Sequence, residues 1–71
     1  MEKNPYYSWA EKEIGNSNPN IDAYARLIVQ EYDKFFNGEI TIEEFELNTP
    51  EIEESTSLNY IRNMIIKLQL T

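Results

Sequence analysis

From Ile21 to Phe36 the apolar side chains fall at Ile21, Tyr24, Ala25, Ile28, Tyr32 and Phe35, in steps of three and four that place them on one helical face. Asn37-Gly38 then supplies residues that tolerate the left-handed backbone at a helix C-terminus, so the spacing predicts a helix over 21–36. Upstream, Asn4-Pro5 has the form of an N-cap followed by a first helical residue, where proline's missing N–H costs nothing. A helix over 5–14 closed by Gly15 is expected, with Tyr7, Ala10 and Ile14 on its buried side. Residues 15–20, with the run Asn16-Ser17-Asn18-Pro19-Asn20, are turn formers and read as a linker. Thr41 and Glu44 have the spacing of a capping box, which predicts a helix from Ile42 to about Asn48. Ile40 and Ile42, and again Phe45 and Leu47, alternate with polar residues, so a short strand pair around residues 39–47 is the competing reading. Leu58, Ile61, Ile65 and Leu68 repeat in the same three-and-four steps and predict a C-terminal helix over 57–70. Projected backwards, that stripe meets Glu54 and Glu51, which places a break near Ser55-Thr56-Ser57.

The pattern describes a mainly α fold: residues 1–71 as one small helical domain of three or four helices, or α+β if the strand pair forms. At 71 residues and without cysteine, apolar burial barely exceeds the conformational entropy that it must offset. The C-terminal helix also carries Tyr60, Met64, Ile66 and Leu70 beside its main stripe. A homodimer is therefore expected, with Leu58, Ile61, Ile65 and Leu68 as its interface.

Charge changes this picture more than composition does. Residues 39–54 hold Glu39, Glu43, Glu44, Glu46, Glu51, Glu53 and Glu54 with no base, and this stretch alone matches the net charge of −7. The rest of the chain is balanced: six acids and four bases lie before it, and only Arg62 and Lys67 after it. Such a cluster is either a solvated face or a surface that attracts basic grooves as phosphates do. On a helix rising 1.5 Å per residue, Glu43, Glu44 and Glu46 approach the linear density of duplex DNA, about one charge per 1.7 Å. The expected partner-binding set is all seven glutamates, and the expected partner is a basic DNA-binding protein; direct contact with nucleic acid is disfavoured. Of the interleaved Ile42, Phe45, Leu47 and Ile52, each is expected in the core.

Candidate chemistry is sparse. With no His and no Cys there is no imidazole base, thiolate or zinc site, and nothing stands at a telling spacing to activate the hydroxyls. No enzyme activity, cofactor or metal is expected. Residues 33–44 resemble the calmodulin-like EF-hand loop, with Asp33 at loop position 1, Asn37 at 5, Gly38 at 6, Ile40 at 8 and Glu44 at 12; position 3 is Phe35, which removes an oxygen ligand that calcium needs. Tyr6, Tyr7 and Trp9 form an aromatic group that either packs the first helix onto the domain or recognises a partner. No apolar run exceeds the three residues of Met64-Ile65-Ile66, so no membrane span is expected and the protein reads as cytoplasmic.

Residues with AT-rich codons (Phe, Tyr, Met, Ile, Asn, Lys) total 31, against 10 for Gly, Ala, Arg and Pro, which points to an AT-rich genome. In size and charge, though in no shared motif, the chain resembles small acidic phage-encoded host-takeover proteins of the DNA-mimic type, such as inhibitors of HU-type nucleoid proteins, of uracil-DNA glycosylase and of restriction enzymes. The resemblance implies a non-enzymatic inhibitor acting in the host bacterial cytoplasm. The alternative is a small scaffold module assembled through its C-terminal helix.

Overall fold

Four helices follow one another in the computed structural model, which describes residues 2–71: α1 (Pro5–Glu11), α2 (Pro19–Phe36), α3 (Ile42–Asn48) and α4 (Thr56–Leu70). Each begins at a polar N-cap, of which those at Asn4 and Thr41 were expected from the sequence. Asn4 Oδ1 accepts from the Tyr6 N–H at 2.9 Å, and Asn18 Oδ1 accepts from the Asn20 N–H at 2.9 Å, with Pro5 and Pro19 as the first helical residues. α2 therefore starts two residues before Ile21, because Asn18-Pro19 repeats the cap chemistry of Asn4-Pro5. Thr41 and Glu44 make both halves of the capping box, and Ser55 Oγ accepts from the Leu58 N–H at 3.0 Å.

Helix ends show where local signals were incomplete. α1 stops at Glu11 instead of Ile14, and residues 12–15 tighten into turns closed by Glu13 N–H to Ala10 O and Ile14 N–H to Glu11 O. Gly15, at φ +91°, then donates its N–H to the Asp22 carboxylate at 2.6 Å, which draws the chain across to α2. At the end of α2, Gly38 (φ +79°) and Glu39 donate to the carbonyls of Phe35 and Lys34, the paired bonds of a Schellman motif. The strand pair considered around residues 39–47 is overturned: Ile42 to Asn48 are helical, and no strand occurs among the described residues. A capping box and burial of Ile42 and Phe45 on one helical face outweigh a short alternation that has no partner strand.

One core joins all four helices. At its centre the buried Tyr32 ring lies 5.1 Å from Tyr7 and 6.4 Å from Phe45, and its hydroxyl accepts the Asn4 N–H at 2.7 Å. Ile28, Leu58 and Ile65 fill the space around it, fully buried. The expected interface stripe divides within this single chain. Leu58, Ile61 and Ile65 are interior residues of a single chain, and only Leu68, 41% accessible, faces outward. Ile66, read as lying off the stripe, is buried as well. The Cα radius of gyration is 11.2 Å, near the ~11 Å of a compact domain this long. No helix among the described residues is long and apolar enough to cross a membrane.

Candidate functional site

α3 turns Ile42 and Phe45 inward, and by the same helical geometry carries Glu43, Glu44 and Glu46 outward. Leu47 goes with them at 79% exposure, against the expectation that it would be core. Ile42 and Phe45 are buried as expected, and Ile52 is half-buried. Glu39 precedes the helix and Glu51, Glu53 and Glu54 follow it in the loop to α4; all seven glutamates are exposed.

The loop that holds the last three is tightly fixed. The buried Thr49 anchors it: its hydroxyl donates to Phe45 O at 2.7 Å, and its carbonyl accepts from Tyr24 Oη–H at 3.2 Å and Arg62 Nε at 2.8 Å. Asn59 of α4 grips both backbone groups of Ile52, accepting its N–H at 3.0 Å and donating Nδ2 to its carbonyl. Arg62 also donates Nη2 to Glu46 O at 3.0 Å, so the guanidinium covers the open carbonyl end of α3, where a cation is favoured. Its Nη1 donates to Asn63 Oδ1 at 2.6 Å, so Arg62 makes no ion pair with the cluster.

Ion pairing elsewhere sharpens the asymmetry. Among the described residues the ion pairs are Lys3 with Asp33, Arg26 with Asp22 and Lys34 with Glu31, all outside 39–54. Two of the seven glutamates have hydrogen-bonded side chains: Glu44 accepts from the Thr41 N–H at 2.9 Å, and Glu51 from Asn63 Nδ2 at 2.8 Å. Glu39, Glu43, Glu46, Glu53 and Glu54 have no side-chain partner among the described residues and project into solvent.

The paired acids behave differently. Burial pushes the Glu31 carboxyl up, but the Asn48 amide and the Lys34 ammonium bonded to it outweigh burial and hold it below its ordinary value. The Gly15 N–H first, then Arg26, lowers Asp22. Burial raises the Tyr24 phenol. Glu31 lies in the buried stripe between Ile28 and Tyr32, and its carboxylate ties α2 to Asn48 at the end of α3. A glutamate at a core position of a helical stripe was a signal available in the sequence; the Asn59 grip, between residues seven apart in different elements, was not.

As a metal site the cluster is poorly formed: no three carboxylates among the described residues converge closely enough to share an ion. In the segment that resembles an EF-hand loop, Asp33 is paired with Lys3, Phe35 packs against Tyr32 at 5.8 Å, and Glu44 is held by Thr41. The aromatic group divides. Tyr7 is buried in the core, while Tyr6 stacks edge-on with Trp9 at 4.9 Å and with Tyr60 of α4 at 6.3 Å, leaving Trp9 and Tyr60 exposed. Comparisons of this chain with protein-family models, with curated proteins and with solved structures found no match.

Proposed function

We propose that this protein is a non-enzymatic inhibitor whose glutamate-lined surface binds the basic nucleic-acid site of a host DNA-binding protein, standing in for the phosphate backbone. The observation that carries the reading is the unequal use of cations. Asp22, Glu31 and Asp33 each have a basic partner, while the seven exposed glutamates of 39–54 have no ion pair among the described residues; the neighbouring Arg62 donates to the carbonyls of Thr49 and Glu46 and to Asn63 Oδ1. Uncompensated clustering raises the folded-state energy by self-repulsion, and a basic groove relieves it while steering association. Small acidic phage proteins that this chain resembles in size and charge act in that way.

The test is charge reversal at positions without a structural duty. Glu43, Glu46 and Glu53 replaced together by Lys should preserve helical content yet weaken capture of a DNA-binding protein from a low-GC bacterial lysate at least tenfold. Reversal at Glu11 and Glu13 should matter much less. Binding of the parent should fall steeply between 0.05 and 0.5 M salt, since exposed charges are screened over ~10 Å at 0.1 M, and DNA should compete. Equal capture by the triple variant, or a complex formed on partner already saturated with DNA, rules the reading out.

A second reading, assembly through α4 as a scaffold module or homodimer, draws support from Tyr60, Leu68 and Leu70, which stand 54%, 41% and 63% exposed on that helix. Its interactions would be insensitive to salt.

A further inference from the structure

Beside the acidic loop runs a shallow groove of about 330 Å³, formed where the outer side of α2 meets the segment before α4. Ala23, Leu27 and Ile52 give it apolar walls, the ring of Tyr24 backs it, and Glu54 stands on its rim. The Tyr24 hydroxyl is already satisfied by Thr49 O, so apart from Asn20, which also lines it, the groove offers apolar surface and a single carboxylate. It is preformed: Ile52 is clamped at both backbone groups by Asn59, and Thr49 is held by Tyr24 and Arg62. Glu51 and Glu53 are exposed in the same loop.

We propose that this groove receives a lysine or arginine side chain from the partner's basic surface, its methylene stem lying on Ala23, Leu27 and Ile52 and its charged head meeting Glu54. The proposal deepens the reading of the acidic surface and rests on it. Charge decides the occupant. A second copy of this chain would bring a net charge of −7 against an acidic rim, and a nucleic acid would bring phosphates. A purely apolar side chain would leave the Glu54 carboxylate beside it without a counter-charge. Lysine and arginine have a long apolar stem under a cationic head, which matches apolar walls under an acidic rim. A groove of this kind also gives phosphate mimicry something that a field alone lacks, namely a fixed register for one basic side chain.

The experiment uses hexalysine and a hexapeptide of 2,4-diaminobutyric acid, equal in charge at pH 6 but with side chains shorter by two methylenes. Both are titrated at fixed low salt into the parent, into Ala23→Leu, which fills the groove at an exposed helical position, and into Glu54→Gln. Methyl resonances of Leu27 and Ile52 report the groove. Hexalysine should shift those resonances and bind roughly three- to tenfold more tightly than the short-stem peptide, from about fourfold per fully buried methylene. Ala23→Leu should abolish that preference while retaining the parent's thermal midpoint and salt dependence; Glu54→Gln should weaken hexalysine more than Glu53→Gln does. Equal affinity of the two peptides for the parent, or an unchanged preference in Ala23→Leu, overturns the groove proposal and leaves the acidic-surface reading standing. Equal methyl shifts with a hexanorleucine-containing neutral peptide, or shifts that grow with protein concentration alone, also overturn it, in favour of an apolar partner or a second copy. If the stem preference holds but charge reversal at Glu43, Glu46 and Glu53 leaves capture of the host protein intact, phosphate mimicry fails and the groove assignment survives.

Discussion

Asn4 caps its own helix and also reaches two others: its N–H donates to the Tyr32 hydroxyl, and its Nδ2 donates to Ile65 O at 3.3 Å and to Gln69 Oε1 at 3.2 Å. Asn4→Ala should therefore cost about 2 kcal/mol, more than a cap alone, because it also strips the donor from a buried carbonyl; urea denaturation measures this. Glu31 makes a second residue-level test, through pH. Its carboxyl is held below its ordinary value when folded, so the stabilisation is fully present above the unfolded carboxyl pKa of about 4.3 and is lost as pH falls through the lower folded value. At pH 7, Glu31→Gln should be less stable than the parent by about 1–2 kcal/mol. The difference should shrink below about pH 4, and a gap that stays constant to pH 2 would show that the carboxylate charge is irrelevant. Asn4 was read from the sequence as a cap, whereas Glu31, buried in the α2 stripe, was not singled out. The partners of neither were legible, because Ile65, Gln69 and Asn48 come near only after the helices dock.

The helices themselves depend on a few local devices. Gly38 adopts φ +79° to close α2, and a Cβ there would meet nothing within 4 Å. The cost of Gly38→Ala therefore comes from backbone conformation and should be about 1–2 kcal/mol, read as a lowered thermal midpoint. Gly38→Asn, a residue that tolerates this region, should recover most of it. Helices α2, α3 and α4 were legible within two residues of their bounds, α2 and α4 from their apolar stripes and α3 from its capping box. α1 was drawn too long. Residues 12–15 turn instead, and beyond them Asp22 accepts the Gly15 N–H from the other side of the linker, a bond between elements that no local pattern encodes.

For the molecule as a whole, the apolar stripe of α4 turned out to serve the chain's own core. Ile65→Asp should unfold the protein, costing roughly 4 kcal/mol or more, whatever its state of assembly, so it cannot report a dimer. Exposed positions can. If α4 mediates assembly, the parent should sediment as a dimer at micromolar concentration, and Tyr60→Asp combined with Leu68→Asp should yield a folded monomer. A compact monomeric parent would end that reading and leave Trp9, Tyr6 and Tyr60 as a surface between α1 and α4 that needs another explanation.

What the sequence by itself determined was helical identity, the caps at Asn4 and Thr41 and the concentration of seven glutamates in residues 39–54, since each depends on near neighbours along the chain. Tertiary structure decided which apolar face meets which. Leu58, Ile61 and Ile65 went inside and Leu47 outside because burial is settled by the helices packed alongside, and a stripe carries no label for its partner. It also decided how the charges are used. Lys3 finds Asp33 thirty positions away, and Arg62 finds the carbonyls of Glu46 and Thr49, so neither makes an ion pair with the glutamates of the α3 segment, which face solvent together. Hydrogen bonds and ion pairs act over a few ångströms in space, and sequence distance does not report which groups the fold will bring within that reach.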